Sequence, residues 1–93
     1  MNHSKTKTSF YRRLYVAYLI ECGINTVPAI MAATGMPRRT AQDTISALDE
    51  IDITCRFAGA NKDGNYEIGG WGAINKSWIQ KNIQHIKAVL MYP

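Results

Sequence analysis

Two cysteines, two histidines and a set of charged side chains are the groups in this 93-residue sequence that could do chemistry. Cys22 and Cys55 form no C-x-x-C pair and cannot supply a metal quartet. His3 stands near the start, and His85 on the polar side of the last apolar-periodic stretch. No Ser/Cys–His–acid set, paired-carboxylate site or phosphate-cradling loop is visible. Gly69-Gly70-Trp71-Gly72 follows a strand-like run but opens no G-x-G-x-x-G, so it reads as a connector. The expectation is therefore a protein that is not an enzyme and holds no metal and no cofactor. What remains is charge and hydrogen bonding.

The formal net charge is +4, which suggests a polyanion partner without proving one. Its placement says more. Lys5, Lys7, Arg12 and Arg13 precede any acid. Arg38 and Arg39 then stand together among Glu21, Asp43, Asp49, Glu50 and Asp52. Arg56, Lys62, Lys76, Lys81 and Lys87 outnumber Asp63 and Glu67 in the remainder.

The elements that must position these groups follow from periodicity. Residues 1–8 read as a flexible basic tail, and residues 9–93 as a single domain. A first helix is expected from about Phe10 to Cys22, with Ser9 as N-cap and Gly23 ending it. Tyr11, Leu14, Tyr15, Tyr18, Leu19 and Cys22 share one broad face of it, while Val16 and Ile20 form a second apolar stripe. That stripe calls for a second neighbour, either the last helix or another subunit. Thr26 caps a short helix, Val27 to Thr34, which Gly35 stops. Pro37 opens a third helix on which Ala41, Ile45 and Leu48 line one face. Arg39, Gln42, Asp43 and Ser46 line the opposite face. About three residues join these two helices, the tight helix–turn–helix spacing.

Beyond Asp52 the apolar period falls to two. Ile53, Cys55 and Phe57 alternate with Thr54 and Arg56, and Tyr66 and Ile68 flank Glu67, which predicts a two-stranded hairpin over 53–68. Its turn-rich stretch, 59–65, places Gly64 at a φ > 0 position. A last helix, 75–91, is capped by Asn75, and Ile79, Ile83, Ile86 and Leu90 make a heptad-like seam along it.

At this point the chain resembles a known family. Ile30-Met31-Ala32-Ala33-Thr34-Gly35-Met36-Pro37-Arg38-Arg39-Thr40-Ala41-Gln42, with Ile45 and Leu48 behind it, resembles the helix–turn–helix of bacterial winged helix DNA-binding proteins. The 53–68 hairpin corresponds to the wing. The likeness covers roughly residues 10–70, and the remainder resembles small stand-alone members. It departs from the family pattern at Pro37, where a Ser or Thr cap is common, at Met31, usually Ala, and at Asp52, commonly Gly.

The resemblance implies an α+β, mostly helical fold: a three-helix core, a two-stranded wing and an added C-terminal helix. It also implies double-stranded DNA as partner, with the third helix in the major groove. Arg39, Gln42 and Ser46 are then the base-reading candidates, because Arg matches guanine O6/N7 and Gln matches adenine N6/N7. Arg38 and Thr40 suit backbone phosphates. Arg56 and Lys62 on the wing reach an adjacent phosphate or minor groove, and Lys5 and Lys7 form an arm along the backbone. Asp43 is also placed to pair with Arg39, a surface contact of about 0.3–0.5 kcal/mol.

The function expected is a sequence-specific transcriptional regulator acting as a homodimer. Trp78, Ile79, Ile83, Ile86 and Leu90, joined by Val16 and Ile20, are the expected dimer surface. The aromatics read as packing rather than a ligand box, and both cysteines as small buried hydrophobes. The competing reading is the same fold as a protein-interaction module without DNA binding. Leu14 to Ile20 is far short of the ~20 residues of a membrane span. It is followed by no small-x-small cleavage site, so a cytoplasmic chain with reduced thiols is expected.

Overall fold

The computed structural model describes residues 3–59 and 64–93. Helix α1 runs Lys5–Glu21, α2 Val27–Thr34 and α3 Arg38–Ala47, followed by a 3₁₀ turn over Leu48–Ile51. Strands β1, Thr54–Ala58, and β2, Asn65–Gly70, precede α4, Lys76–Lys81, and α5, Ile83–Leu90. This is the winged helix arrangement: mostly helical, with one two-stranded antiparallel sheet.

Helix α1 begins five residues before the expected Phe10. Ser4, not Ser9, is the N-cap, its Oγ accepting the Lys7 N–H at 3.1 Å. Thr8 is tolerated in the first turns because its hydroxyl donates back to the Ser4 carbonyl at 3.2 Å. Lys5 and Lys7 thus lie on a helix and not on a free arm.

Both apolar stripes of α1 are used within the chain. Val16, Ala17 and Ile20 pack with Val27, Ile30, Ala41, Ile45, Leu48 and Ile53 into one core, under the helix–turn–helix. Leu14, Tyr15 and Leu19 pack with Ile79 and Ile86 into a second. A helix sandwiched this way buries apolar surface all round, which is why its sequence shows two stripes instead of one.

The helix–turn–helix is built as the spacing predicts. Thr26 Oγ1 caps α2 by accepting the Ala29 N–H at 3.2 Å, and Gly35 takes φ +79° to end it. Buried Thr34 braces the turn: its hydroxyl donates to the Ile30 carbonyl at 2.8 Å and accepts the Met36 N–H at 3.1 Å. Pro37 stands one residue earlier than expected. With ψ 156° it is the uncapped residue before α3, and its carbonyl receives the Ala41 N–H at 3.0 Å.

The wing pairs Cys55 with Ile68, Arg56 with Glu67 and Phe57 with Tyr66, with a register irregularity at Thr54/Cys55. Its alternation holds only at the base. Ile53 is fully buried, but Phe57, farther out on the hairpin, has passed the edge of the core and is exposed. There it packs edge-on against Tyr66, centroids 5.0 Å apart. A bond from the Tyr66 N–H to the Asn25 carbonyl, 2.8 Å, ties the wing to the loop before α2.

The expected single helix over 75–91 is broken. Asn82, at φ −114° and ψ 18°, ends α4, and its Nδ2 donates to the Trp78 carbonyl at 2.8 Å. Ile79 before the break and Ile86 after it both pack into the core with α1. Lys76 Nζ, 3.4 Å from Glu21 Oε2, joins the start of α4 to the end of α1.

Candidate nucleic-acid interface

At about 100° per residue, α3 separates its side chains into three zones. Ala41, Ile45 and, just past its end, Leu48 face inward and are buried. Arg39, Gln42, Asp43 and Ser46 face outward and are exposed. Thr40, Thr44 and Ala47 lie about a quarter turn to one side, facing α1, and Arg38 lies toward the other. The outward face carries no apolar residue, so it presents donors and acceptors on a rigid rod anchored from behind.

Arg39 Nε lies 3.5 Å from Asp43 Oδ2, with both side chains largely exposed. Such a pair is weak, about 0.3–0.5 kcal/mol, so the guanidinium can be drawn away by a better acceptor. Arg38 stands at the other flank, lining a cavity of about 420 Å³ with Thr26, Phe57 and Tyr66. The start of α3, the start of α2 and the wing therefore meet at one place. Thr40 is half-buried beside α1 and gives its carbonyl to the Thr44 hydroxyl at 2.7 Å.

The remaining sequence candidates disperse. Arg56 is on the exposed face of β1, its Nε 3.6 Å from Glu67 Oε2 across the hairpin. Lys62 lies outside the described residues. Lys7 Nζ sits 5.5 Å from the centre of the Tyr11 ring, a cation–π contact on α1, and Lys5 is exposed near the start of the helix.

Four members of the expected dimer surface turn inward. Val16, Ile20, Ile79 and Ile86 are core residues of the monomer, because α4 and α5 fold onto α1 and consume the seam. Ile83 and Leu90 are half-buried against the same core, and Trp78 stays 41% exposed. Tyr11 meets Trp78 edge-on at 6.4 Å, and a cavity of about 300 Å³ lies beside them, walled by Phe10, Leu14 and Ile74.

Both cysteines are free thiols, but they are not alike. Cys22 caps the exposed end of α1, contrary to the buried position expected. Cys55 is half-buried on the inner side of β1, and burial pushes its thiol pKa up. Among the described residues no group of His, Cys, Asp and Glu is placed to hold a metal ion. No described helix is long and apolar enough to cross a membrane.

Two cations escaped the sequence reading. Arg12 and Arg13 on α1 lie beside α3, in a groove shared with Thr40, Asp43 and Thr44. Their charge was legible, but the side of α1 they occupy is fixed only once α1 is packed against α3.

The family model described as "Winged helix-turn helix" matches residues 5–90. The fold is also that of a DUF2131 family protein from Shewanella amazonensis. The two share 32% sequence identity at a TM-score of 0.91, covering 99% of this chain and 92% of that one. No curated protein matches.

Proposed function

Because this chain belongs to the winged helix-turn-helix family, we propose that it is a sequence-specific double-stranded DNA-binding transcriptional regulator. Winged helix–turn–helix domains are in general DNA-binding and non-enzymatic. In this reading α3 enters the major groove and the wing lies on the backbone or in the minor groove. Arg39, Gln42 and Ser46 read bases; Arg38, Thr40 and Arg56 hold phosphates, as does Lys62, which lies outside the described residues. The observation that carries the reading is the outward face of α3. It is polar, exposed and headed by Arg39, with Arg38 at its flank, on a helix whose opposite face is locked into the core.

The test is selection of bound sequences from a random duplex pool, followed by fluorescence anisotropy across a salt series. A shared motif and an affinity falling steeply with salt support the reading. Failure to bind the pool at low salt overturns it. That outcome favours the fold as a protein-interaction module, for which the aromatic cavity between α1 and α4 is the supporting feature.

The reading extends to two copies in a bacterial cytoplasm. Free thiols suit a reducing compartment, and the structural relative is bacterial. With the isoleucine seam consumed internally, the surface left for pairing is centred on Trp78, with the edges of Ile83 and Leu90.

A further inference from the structure

We propose that Arg12 and Arg13 form a phosphate seat in the groove between α1 and α3, and that a duplex phosphodiester beside the groove-bound helix occupies it. This rests on the DNA-binding reading for the source of the phosphate, but not for the chemistry of the seat. The groove is a cavity of about 280 Å³, walled by Ser9, Arg12 and Arg13 from α1 and by Thr40, Asp43 and Thr44 from α3. Arg12 Nε lies out of contact with water and has no hydrogen-bond partner, alone among the buried side-chain nitrogens and oxygens of the described residues. Because water does not reach that nitrogen, an anion in the open groove meets the outer end of the guanidinium, which no hydrogen bond engages among the described residues. Neither Arg12 nor Arg13 forms an ion pair among the described residues, and the one carboxylate in the groove, Asp43, is engaged by Arg39. Even when Arg39 leaves Asp43 for a base, two arginines face one carboxylate, so the groove stays net positive, with Ser9 and Thr40 also on its wall.

Its position fits a backbone phosphate. An α-helix with its side chains is about 10–12 Å across and the B-DNA major groove about 12 Å wide, so a helix seated there has a phosphate strand along each flank. The α1-facing flank of α3 is lined by this groove. Arg38 and the wing occupy the opposite flank. The two arginine sites thus stand where the two strands pass. Arg12 and Arg13 would fix the depth and register of α3 without reading sequence.

The Arg12 Nε–H gives a direct reporter in the unmodified protein, because its burial slows exchange with water. Its ¹H–¹⁵N resonance is followed while a selected duplex is added, and separately while inorganic phosphate is added. A shift with the duplex, abolished when the flanking phosphate is replaced by an uncharged methylphosphonate, supports the proposal. A shift with inorganic phosphate but not with a duplex that the protein binds keeps the phosphate seat and overturns its assignment to the DNA backbone. An unmoved resonance with both overturns the seat itself, whether or not DNA binds.

Variants give a second readout. R12A/R13A should weaken every duplex alike, about 10- to 100-fold at low salt. The slope of log affinity against log salt should drop by about one, since each phosphate neutralised by the protein adds about 0.9 to it. R12K/R13K should recover most of the slope. An unchanged slope in a folded R12A/R13A protein that still binds DNA overturns the seat while leaving the DNA-binding reading standing.

Discussion

Arg39 is the side chain whose replacement separates reading from holding. Its only partner among the described residues is the exposed Asp43 carboxylate, so removing Arg39 strands no buried partner there and should leave the melting temperature nearly unchanged. The loss should appear in discrimination instead. R39A is expected to forfeit about 1–3 kcal/mol of preference at one base position while keeping its affinity for unrelated duplexes. Anisotropy against a set of singly substituted sites measures this, and an equal loss on all sites would make Arg39 a phosphate contact. A second residue-scale contrast lies in the thiols. Cys22 is exposed, whereas Cys55 is half-buried and held toward the neutral form. Iodoacetamide at neutral pH should therefore modify Cys22 first, with mass mapping showing Cys55 trailing by roughly tenfold or more. The Arg39 face was legible in sequence because it follows from one helix's own period. Arg12 and Arg13 were not, because their neighbours come from a helix more than twenty residues away.

At the scale of elements, those bounded by local signals were the readable ones. Thr26, Gly35 and the three-residue turn define α2 and the approach to α3 through local chemistry alone, and they stand where the spacing puts them. The ends of α1 and the break at Asn82 escaped, since Ser4 and Ser9 are equally good caps by type. Nor does the isoleucine seam announce the break, since Ile79 and Ile86, seven residues apart, share a face in an unbroken helix as well. The joint between the 3₁₀ turn and the connector after β2 was also invisible. Asp52 takes φ +62° there, and Gly72 takes φ +56°. A Cβ on Gly72 would lie 2.7 Å from the Asp52 carbonyl oxygen, a backbone atom that cannot yield cheaply. G72A is thus strained by conformation and by contact together. It should lower stability by about 2 kcal/mol or more, roughly 8–16 °C of melting temperature in a domain this size. T26A, which removes only a cap, should cost about 1 kcal/mol. Thermal unfolding by circular dichroism ranks the two, and a G72A protein as stable as T26A would show that the joint relaxes.

For the whole molecule, the modest +4 limits what one copy can do on DNA. Arg38 and Arg39 head α3, Arg12 and Arg13 flank it, and Arg56 on the wing is already shared with Glu67. Binding held by so few phosphates is loose at physiological salt. Two copies on adjacent half-sites would double that number, which is the argument for pairing that survives the loss of the isoleucine seam to the core. Trp78 is the test of it. It is 41% exposed, so a charged replacement is tolerated by the monomer far better than one at fully buried Ile86. The unmodified protein should sediment as a dimer at tens of micromolar. It should also bind a two-half-site duplex with about twice the salt slope of a single half-site. W78E should sediment as a monomer, retain the single-site slope and lose the added affinity of the second site. If W78E instead matches the unmodified protein in both measurements, Trp78 is not the pairing surface. If the unmodified protein is already monomeric, the two-copy reading falls, and the affinity of one domain must come from its arginine-flanked helix alone.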